Sequence, residues 1–472
     1  MPASRRSVLA SAAGLAFAGC GRLAHGQAAG QLTPYKSEVH GYGPLRRDPA
    51  GLFDLPEGFS YRIVSRFGEP MSDGFITPGK MDGMYAFPDG PDRVRLVRNH
   101  ELNPADMAIS AFGADGALAS KLGADRAFDR LVGGAPAPGG TTTLVWDMRA
   151  QRLVSSHLSL VGTSTNCAGG HTPWGSWLTC EETVELGGKR TQKSHGWVFE
   201  VPAALDTLAD PTPITGMGRF RHEAVAIDPR TGIAYLTEDE GDGRGLFYRF
   251  LPNDRRKPQA GGRLQALAFA EGADADPRNW TGRYMDPGQT RAVRWIDVDG
   301  VDNPNNDLRD RGHAAGAAWF ARGEGIFWGK DELFFTCTHG GPEKYGQIFR
   351  YRPSAQEGQP GEKDAPGQLQ LFVEPRDADL MRMCDNIAVA PWGHLIVCED
   401  KDQGGINFLK AVTPDGKVYT LGRNAHMGDG DAGENSELAG CCFSPDGTTL
   451  FVNVYRPGLT LAIQGPWSRF RA

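Results

Sequence analysis

The chain has 472 residues, of which 40% are hydrophobic and 23% charged, with a formal net charge of −7. That composition describes a chain able to bury a core, and excludes a membrane bundle or a disordered tail; with no Lys/Arg block, nucleic acid is excluded as a partner. The 63 glycines and 32 prolines suit many short strands joined by turns and argue against long helices.

The first residues read as an address. Ser4-Arg5-Arg6-Ser7-Val8-Leu9 is a twin-arginine pattern, followed by an apolar run from Val8 to Ala18. That run falls short of the roughly 20 apolar residues a membrane span needs. Ala24-His25-Gly26 is a small-x-small cleavage site before Gln27, and Phe17-Ala18-Gly19-Cys20 is a weaker lipid-attachment box. Residues 1–26 are therefore expected to be a bacterial Tat signal peptide, recognised by the Tat export machinery, and 27–472 a single mature domain without an integral membrane segment. A periplasmic or secreted location follows, with lipid anchoring at Cys20 the lesser alternative. Export after folding suits a cofactor loaded in the cytoplasm.

Beyond the leader, one pattern recurs: a polar residue, an apolar strand, a Pro/Gly/Asp turn, a second strand, then an acidic or polar end. It runs Met81–Phe87 with Val94–Glu101, Asn166–Ala168 with Ser176–Glu182, and His222–Ile227 with Ile233–Glu240. It continues as Arg322–Trp328 with Glu332–His339, Cys384–Val389 with His394–Asp400, and Ser436–Cys442 with Thr448–Arg456. Six hairpins with turn chemistry at matching offsets predict an all-β chain, a six-bladed β-propeller. Outer strands are expected at Thr141–Met148, Leu153–Val161, Trp197–Val201, Leu246–Phe250, Gln347–Tyr351 and Gln370–Val373. Insertions are expected at 103–140, with a short helix ending at Gly133-Gly134, at 252–312, and as a polar loop at 353–367.

In a hairpin, the start of the first strand and the end of the second share an edge, so innermost hairpins converge on one channel mouth. Asp82, Cys167, Glu223, Glu324, Asp385 and Glu437 arrive there from first strands. Glu101, Glu181, Glu182, Glu238, Glu240, Glu399 and Asp400 arrive from second strands. So many carboxylates would raise one another's pKa unless cations compensate. An oxygen-rich cluster suits Ca²⁺, and a thiolate among the oxygens argues for an additional transition metal. The other cysteines after the leader sit in apolar strand runs, as small buried hydrophobes, and there is no CxxC pair. Asp297-Val-Asp299-Gly300 and Asp429-Gly-Asp431-Ala-Gly433 hint at calcium loops without completing the EF-hand spacing. No GxxxxGK[ST], HExxH or GxSxG motif competes.

Several motifs carry a family resemblance. They are Leu96-Val97-Arg98-Asn99-His100-Glu101, Asn166-Cys167-Ala168-Gly169-Gly170-His171-Thr172-Pro173-Trp174-Gly175 and Leu178-Thr179-Cys180-Glu181-Glu182. With them go Arg219-Phe220-Arg221-His222-Glu223, Tyr235-Leu236-Thr237-Glu238-Asp239-Glu240, Asp385-Asn386 with Glu399-Asp400, and Phe443-Ser444-Pro445-Asp446-Gly447. At these residues the chain resembles the PhoX family of exported bacterial alkaline phosphatases, from about residue 40 to Trp467. The resemblance implies a six-bladed propeller with an iron–calcium cluster at its centre. It implies that Cys167 is the thiolate ligand of iron (Fe³⁺), and that Glu223 and Glu324 ligate or bridge iron and calcium (Ca²⁺). Glu182, Asp385 and the Glu399 strand end would hold calcium, Glu240 is a further expected metal ligand, and Arg322 would hold a phosphate oxygen. Small phosphate monoesters are the implied substrates, attacked by a metal-activated oxide or hydroxide, with Arg322, Cys167, Glu223 and Glu324 as the catalytic set. Two other classes stay open at this stage: a calcium-dependent lactonase or esterase propeller, and a non-catalytic propeller with structural calcium.

Overall fold

In a computed structural model of the chain, residues 34–472 are described, apart from 124, 273–274, 402–404 and 428–434. The leader, Cys20 and Asp429-Gly-Asp431 lie outside the described residues. Each expected hairpin forms, as Met81–Pro88 with Arg93–His100, Asn166–His171 with Ser176–Glu181, and His222–Ile227 with Ala234–Glu238. The others are Gly323–Trp328 with Leu333–Cys337, Cys384–Val389 with Leu395–Glu399, and Leu438–Phe443 with Thr449–Val454. Further strands add antiparallel outside each hairpin, so the chain is all-β and propeller-like. Neighbouring first strands pack side by side in chain order, and Leu438–Phe443 packs against Met81–Pro88, which closes a ring around a central channel.

The closure is made by the chain's early part. Ser60–Arg66 pairs with Leu459–Gln464, completing the last sheet from the other end of the sequence. Arg98, fully buried, seals the seam by donating to Ser65 Oγ and Thr460 Oγ1, both at 2.6 Å, and to Thr142 Oγ1 at 3.2 Å. All three partners are neutral hydroxyls, and burial pulls this guanidinium's pKa down to about 9.

The insertions differ from expectation. Within 103–140 the described residues hold two short 3₁₀ turns, Met107–Ile109 and Ala117–Lys121, and no α-helix reaches Gly133. The polar stretch 252–312 contributes two strands, Gly262–Phe269 and Thr290–Asp297, and the helix Leu308–Ala314. Thr290–Asp297 also pairs with Gln368–Val373, so two neighbouring blades fuse at their rims into one nine-stranded sheet. Strands 408–412, 418–424 and 459–464, missed in the periodicity, complete the last two sheets. Residues 35–472 form one compact unit.

Among the described residues all seven cysteines are free, and six are buried. Cys180 packs with Leu178, Val198 and Phe220, as expected of a small hydrophobe. No helix among the described residues is long and apolar enough to cross a membrane.

Candidate metal centre

Every first strand carries a register irregularity after its first or second residue, for example between Met81 and Met84, Gly323 and Ile326, and Ala439 and Cys442. Such bulges re-aim a side chain at the rim of a sheet. The residues they re-aim are Asp82, Cys167, Glu223, Glu324 and Asp385, in five successive hairpins. The sixth hairpin has Ala439 at that place.

The bulges are held from the neighbouring blade. Asn99 Nδ2 donates to the Cys167 carbonyl at 3.0 Å, Thr237 Oγ1 to that of Glu324 at 2.5 Å, and Thr336 Oγ1 to that of Asp385 at 2.6 Å. Asn453 Nδ2 closes the circle on Asp82 O at 2.6 Å. Close approach of the strands requires small residues next to the re-aimed side chains. A Cβ at Gly325 would sit 2.7 Å from the Asn386 Cα, and one at Gly440 would sit 2.3 Å from Asp82 O.

A second tier comes from the ends of the second strands. The residue before each first strand accepts a backbone hydrogen bond from a strand-end residue: Lys80 from Glu101, Thr165 from Glu182, and Arg221 from Asp239. The same bond joins Arg322 to Thr338, Met383 to Asp400, and Glu437 to Tyr455. Glu101, Glu182, Asp239 and Asp400 are thus equivalent positions. The residues just before them, Glu181, Glu238 and Glu399, face the opposite way, because successive side chains on a strand alternate.

Two expected metal ligands consequently stand apart from the group. Glu399 is fully buried and accepts from Arg382 N, Phe408 N and Lys401 Nζ at 2.8, 3.0 and 2.6 Å, fastening loops behind its strand. Its neighbour Asp400 takes the cluster-facing place. Glu240 lies one residue beyond Asp239 and pairs with Arg309 at 3.2 Å and Arg221 at 3.9 Å. Glu181 and Glu238 are likewise spent on local partners, such as His195 at 2.6 Å and Tyr248 at 2.9 Å.

What converges is a set of three groups, the last two sharing Asp385: Glu101, Cys167 and Glu182; Glu223, Glu324 and Asp385; and Asp385, Asp400 and Glu437. In each group one potential ligand atom per residue lies within 4.8 Å of the others. Cys167 Sγ also lies 3.5 Å from Asp82 Oδ2. Burial first, and the mutual repulsion of the acids second, push the carboxyls of Asp82, Glu182, Glu223, Glu324 and Glu437 well up; Asp385 rises to about 8. The Cys167 thiol is raised by the same two causes. Both carboxylate oxygens of the fully buried Glu223, and Oδ1 of Asp82, have no hydrogen-bond partner. A buried acid with empty acceptors is costly unless a cation meets it, so these residues fit metal ions.

Arg322 stands at the rim, in the left-handed region at φ 58°. Its Nε and Nη2 bond to Asp239 Oδ1 and Oδ2 at 2.9 and 2.7 Å, and Nη2 lies 3.3 Å from Glu324 Oε1. Burial works against its charge, but Glu324 and Asp239 outweigh that and raise its pKa. Sequence reasoning missed Asp239 and also Tyr455, whose hydroxyl donates to Glu101 Oε2. Below the ring, the channel is narrowed by Tyr85 stacked on His171, ring centroids 4.0 Å apart.

The alkaline phosphatase PhoX profile matches residues 40–458. The chain belongs to the PhoX alkaline phosphatase family. Its members are phosphatases, and this chain is an enzyme of that class. No curated protein sequence matches it. Among solved structures it is similar to Pseudomonas fluorescens PhoX in complex with vanadate, a transition state analogue. The two are 19% identical with a TM-score of 0.62, over 92% of this chain and 97% of that one, a likeness of fold. It is far less similar to the pyranose dehydrogenase PQQ domain of Coprinopsis cinerea, 11% identical with a TM-score of 0.31, over 89% and 98% of the two chains.

Proposed function

We propose that this PhoX-family chain is an exported, metal-dependent phosphomonoesterase that works at an iron–calcium cluster on the mouth of a six-bladed propeller. One observation carries the reading: Glu223, Glu324 and Asp385, from three consecutive hairpins, bring carboxylate oxygens within 4.8 Å of one another, and both oxygens of the buried Glu223 have no hydrogen-bond partner. Solvation of strand-end acids does not explain acids that are withdrawn from water.

Cys167 would supply the soft donor that selects iron, and Glu223 and Glu324, which stand with Asp385, would offer carboxylates to iron and calcium. The all-oxygen group of Asp385, Asp400 and Glu437 suits calcium, as Glu182 does on the other flank. When bound, the ions supply Lewis-acid charge against the negative phosphoryl oxygens and their developing charge. Arg322 would orient the phosphoryl group, its planar fork matching tetrahedral oxygens. Asn99, Thr237, Thr336 and Asn453 hold the ligand backbones in place, so little reorganisation accompanies reaction. The twin-arginine leader would deliver the folded protein to the periplasm or beyond.

Metal analysis of the purified protein, paired with aryl phosphate hydrolysis above neutral pH before and after chelation and dialysis, tests this. Iron plus calcium with chelator-sensitive turnover is expected. Full activity in excess chelator, or calcium alone with ester but no phosphate-ester turnover, would refute it.

A further inference from the structure

We propose that Asp239 is the positioning residue for Arg322, holding its guanidinium so that the remaining donors face the substrate. The inference rests on the reading of Arg322 given above. Asp239 occupies the strand-end position that in other blades places Glu101, Glu182 and Asp400 in the metal-binding groups. Its position alone would make it a metal ligand, yet it belongs to none of those groups. Both its oxygens are turned instead to the side edge of Arg322, at 2.9 and 2.7 Å.

The arrangement one blade earlier shows what this commitment achieves. Arg221 occupies the place equivalent to Arg322 and reaches back towards Glu182, the equivalent of Asp239. There the carboxylate stands 3.6 Å away and stays with the cluster, and the Arg221 side chain is 38% exposed. Arg322, gripped by two hydrogen bonds, is 18% exposed. An arginine in left-handed backbone, with a flexible four-bond side chain, would otherwise sample many rotamers. The bidentate contact fixes the plane of the fork. It also consumes Nε and one hydrogen of Nη2, whereas Nη1 makes no hydrogen bond among the described residues. Nη2 also stands 3.3 Å from Glu324 Oε1, so Nη1 is what remains for a phosphoryl oxygen.

A double-mutant cycle on the full mature protein tests this, using Asp239→Asn, Arg322→Ala and the pair. The readouts are kcat/KM for an aryl phosphate, inhibition by inorganic phosphate, and iron and calcium content. Asp239→Asn keeps the shape but sets an amide NH₂ against the guanidinium. It should lower kcat/KM by about 10- to 100-fold, the scale for a hydrogen bond to a charged group. It should weaken phosphate inhibition and leave metal content unchanged. In the Arg322→Ala background the same substitution should change nothing, because the residue it positions is gone. Asp239→Glu, which keeps the charge, should recover part of the loss and guards against a folding defect. Additive losses, depleted metal, or wild-type kinetics in Asp239→Asn would overturn the inference while leaving Arg322's own role standing. Wild-type kinetics in Arg322→Ala would remove both.

Discussion

Cys167 Sγ lies 3.5 Å from Asp82 Oδ2, a thiol and a carboxylate brought together from adjacent hairpins. The thiol's contact favours the Asp82 anion, but burial and the neighbouring acids outweigh it and raise both pKa values. A thiol in such surroundings stays protonated and inert unless a cation displaces its proton. A cation bound beside this contact would relieve two buried acids at once.

Replacing Cys167 by serine should abolish iron binding, with any visible colour, in a protein that still folds, since a hydroxyl is a poor soft ligand. Cys180→Ser makes the control. That side chain is fully buried among apolar neighbours, so a hydroxyl there should cost about 1–3 kcal/mol of stability and leave metal unchanged. Iron analysis and thermal melts of the two variants separate the roles; unchanged iron in both would show the thiolate to be misassigned.

The raised carboxyls predict a sign for pH dependence in metal-stripped protein. Asp385 titrates at about 8, and Asp82, Glu182, Glu223, Glu324 and Glu437 also titrate above their usual range. Between about pH 4, the ordinary carboxyl value, and pH 8 the folded state binds more protons than the unfolded one, so stability falls as pH rises. The melting temperature of stripped protein should drop from pH 5 to pH 8, and added calcium should erase most of that drop. A stripped protein equally stable or more stable at pH 8 would contradict the cluster's electrostatics.

The hairpins and the five re-aimed side chains were legible because turn chemistry and the position of each acid repeat visibly along the chain. Strand-end acids were harder to sort. Glu399-Asp400 and Glu238-Asp239-Glu240 are runs of acids in which only one residue faces the mouth, and facing depends on pairing register. A one-residue slip exchanges Asp400 for Glu399 and Asp239 for Glu240. The backbone bonds from Asp400 N to Met383 O and from Asp239 N to Arg221 O settle that register, and they cannot be seen in sequence. Arg98 was hidden for another reason: its partners Ser65 and Thr460 are contributed from opposite ends of the chain.

That alternation yields a paired test. Asp400→Asn should deplete calcium, because Asp400 shares a ligand group with Asp385 and Glu437. Glu399→Gln should keep its metal yet melt several degrees lower, since it weakens the contact with Lys401 and the N–H groups of Arg382 and Phe408. Calcium content and melting temperature, measured together, distinguish the outcomes. Calcium loss in Glu399→Gln with none in Asp400→Asn would reverse the assignment.

Arg322 and Glu324 are two residues apart and 3.3 Å from one another, yet their expected tasks differ. Arg322→Ala should keep iron and calcium while lowering kcat/KM by about two to three orders of magnitude, roughly 3–4 kcal/mol, the scale for losing one preorganised donor. Glu324→Gln should deplete metal first, because its carboxylate stands with Glu223 and Asp385 in the central group. A purely structural Arg322 is the alternative, since it does pair with an acid. Its loss would then leave Asp239 without its partner, and stability would fall while turnover per folded molecule stayed normal. Elemental analysis, active-site-normalised kinetics and melting temperatures on the two variants decide between these. Normal turnover in Arg322→Ala would strip the site of its proposed phosphate anchor and leave substrate binding to the metals alone.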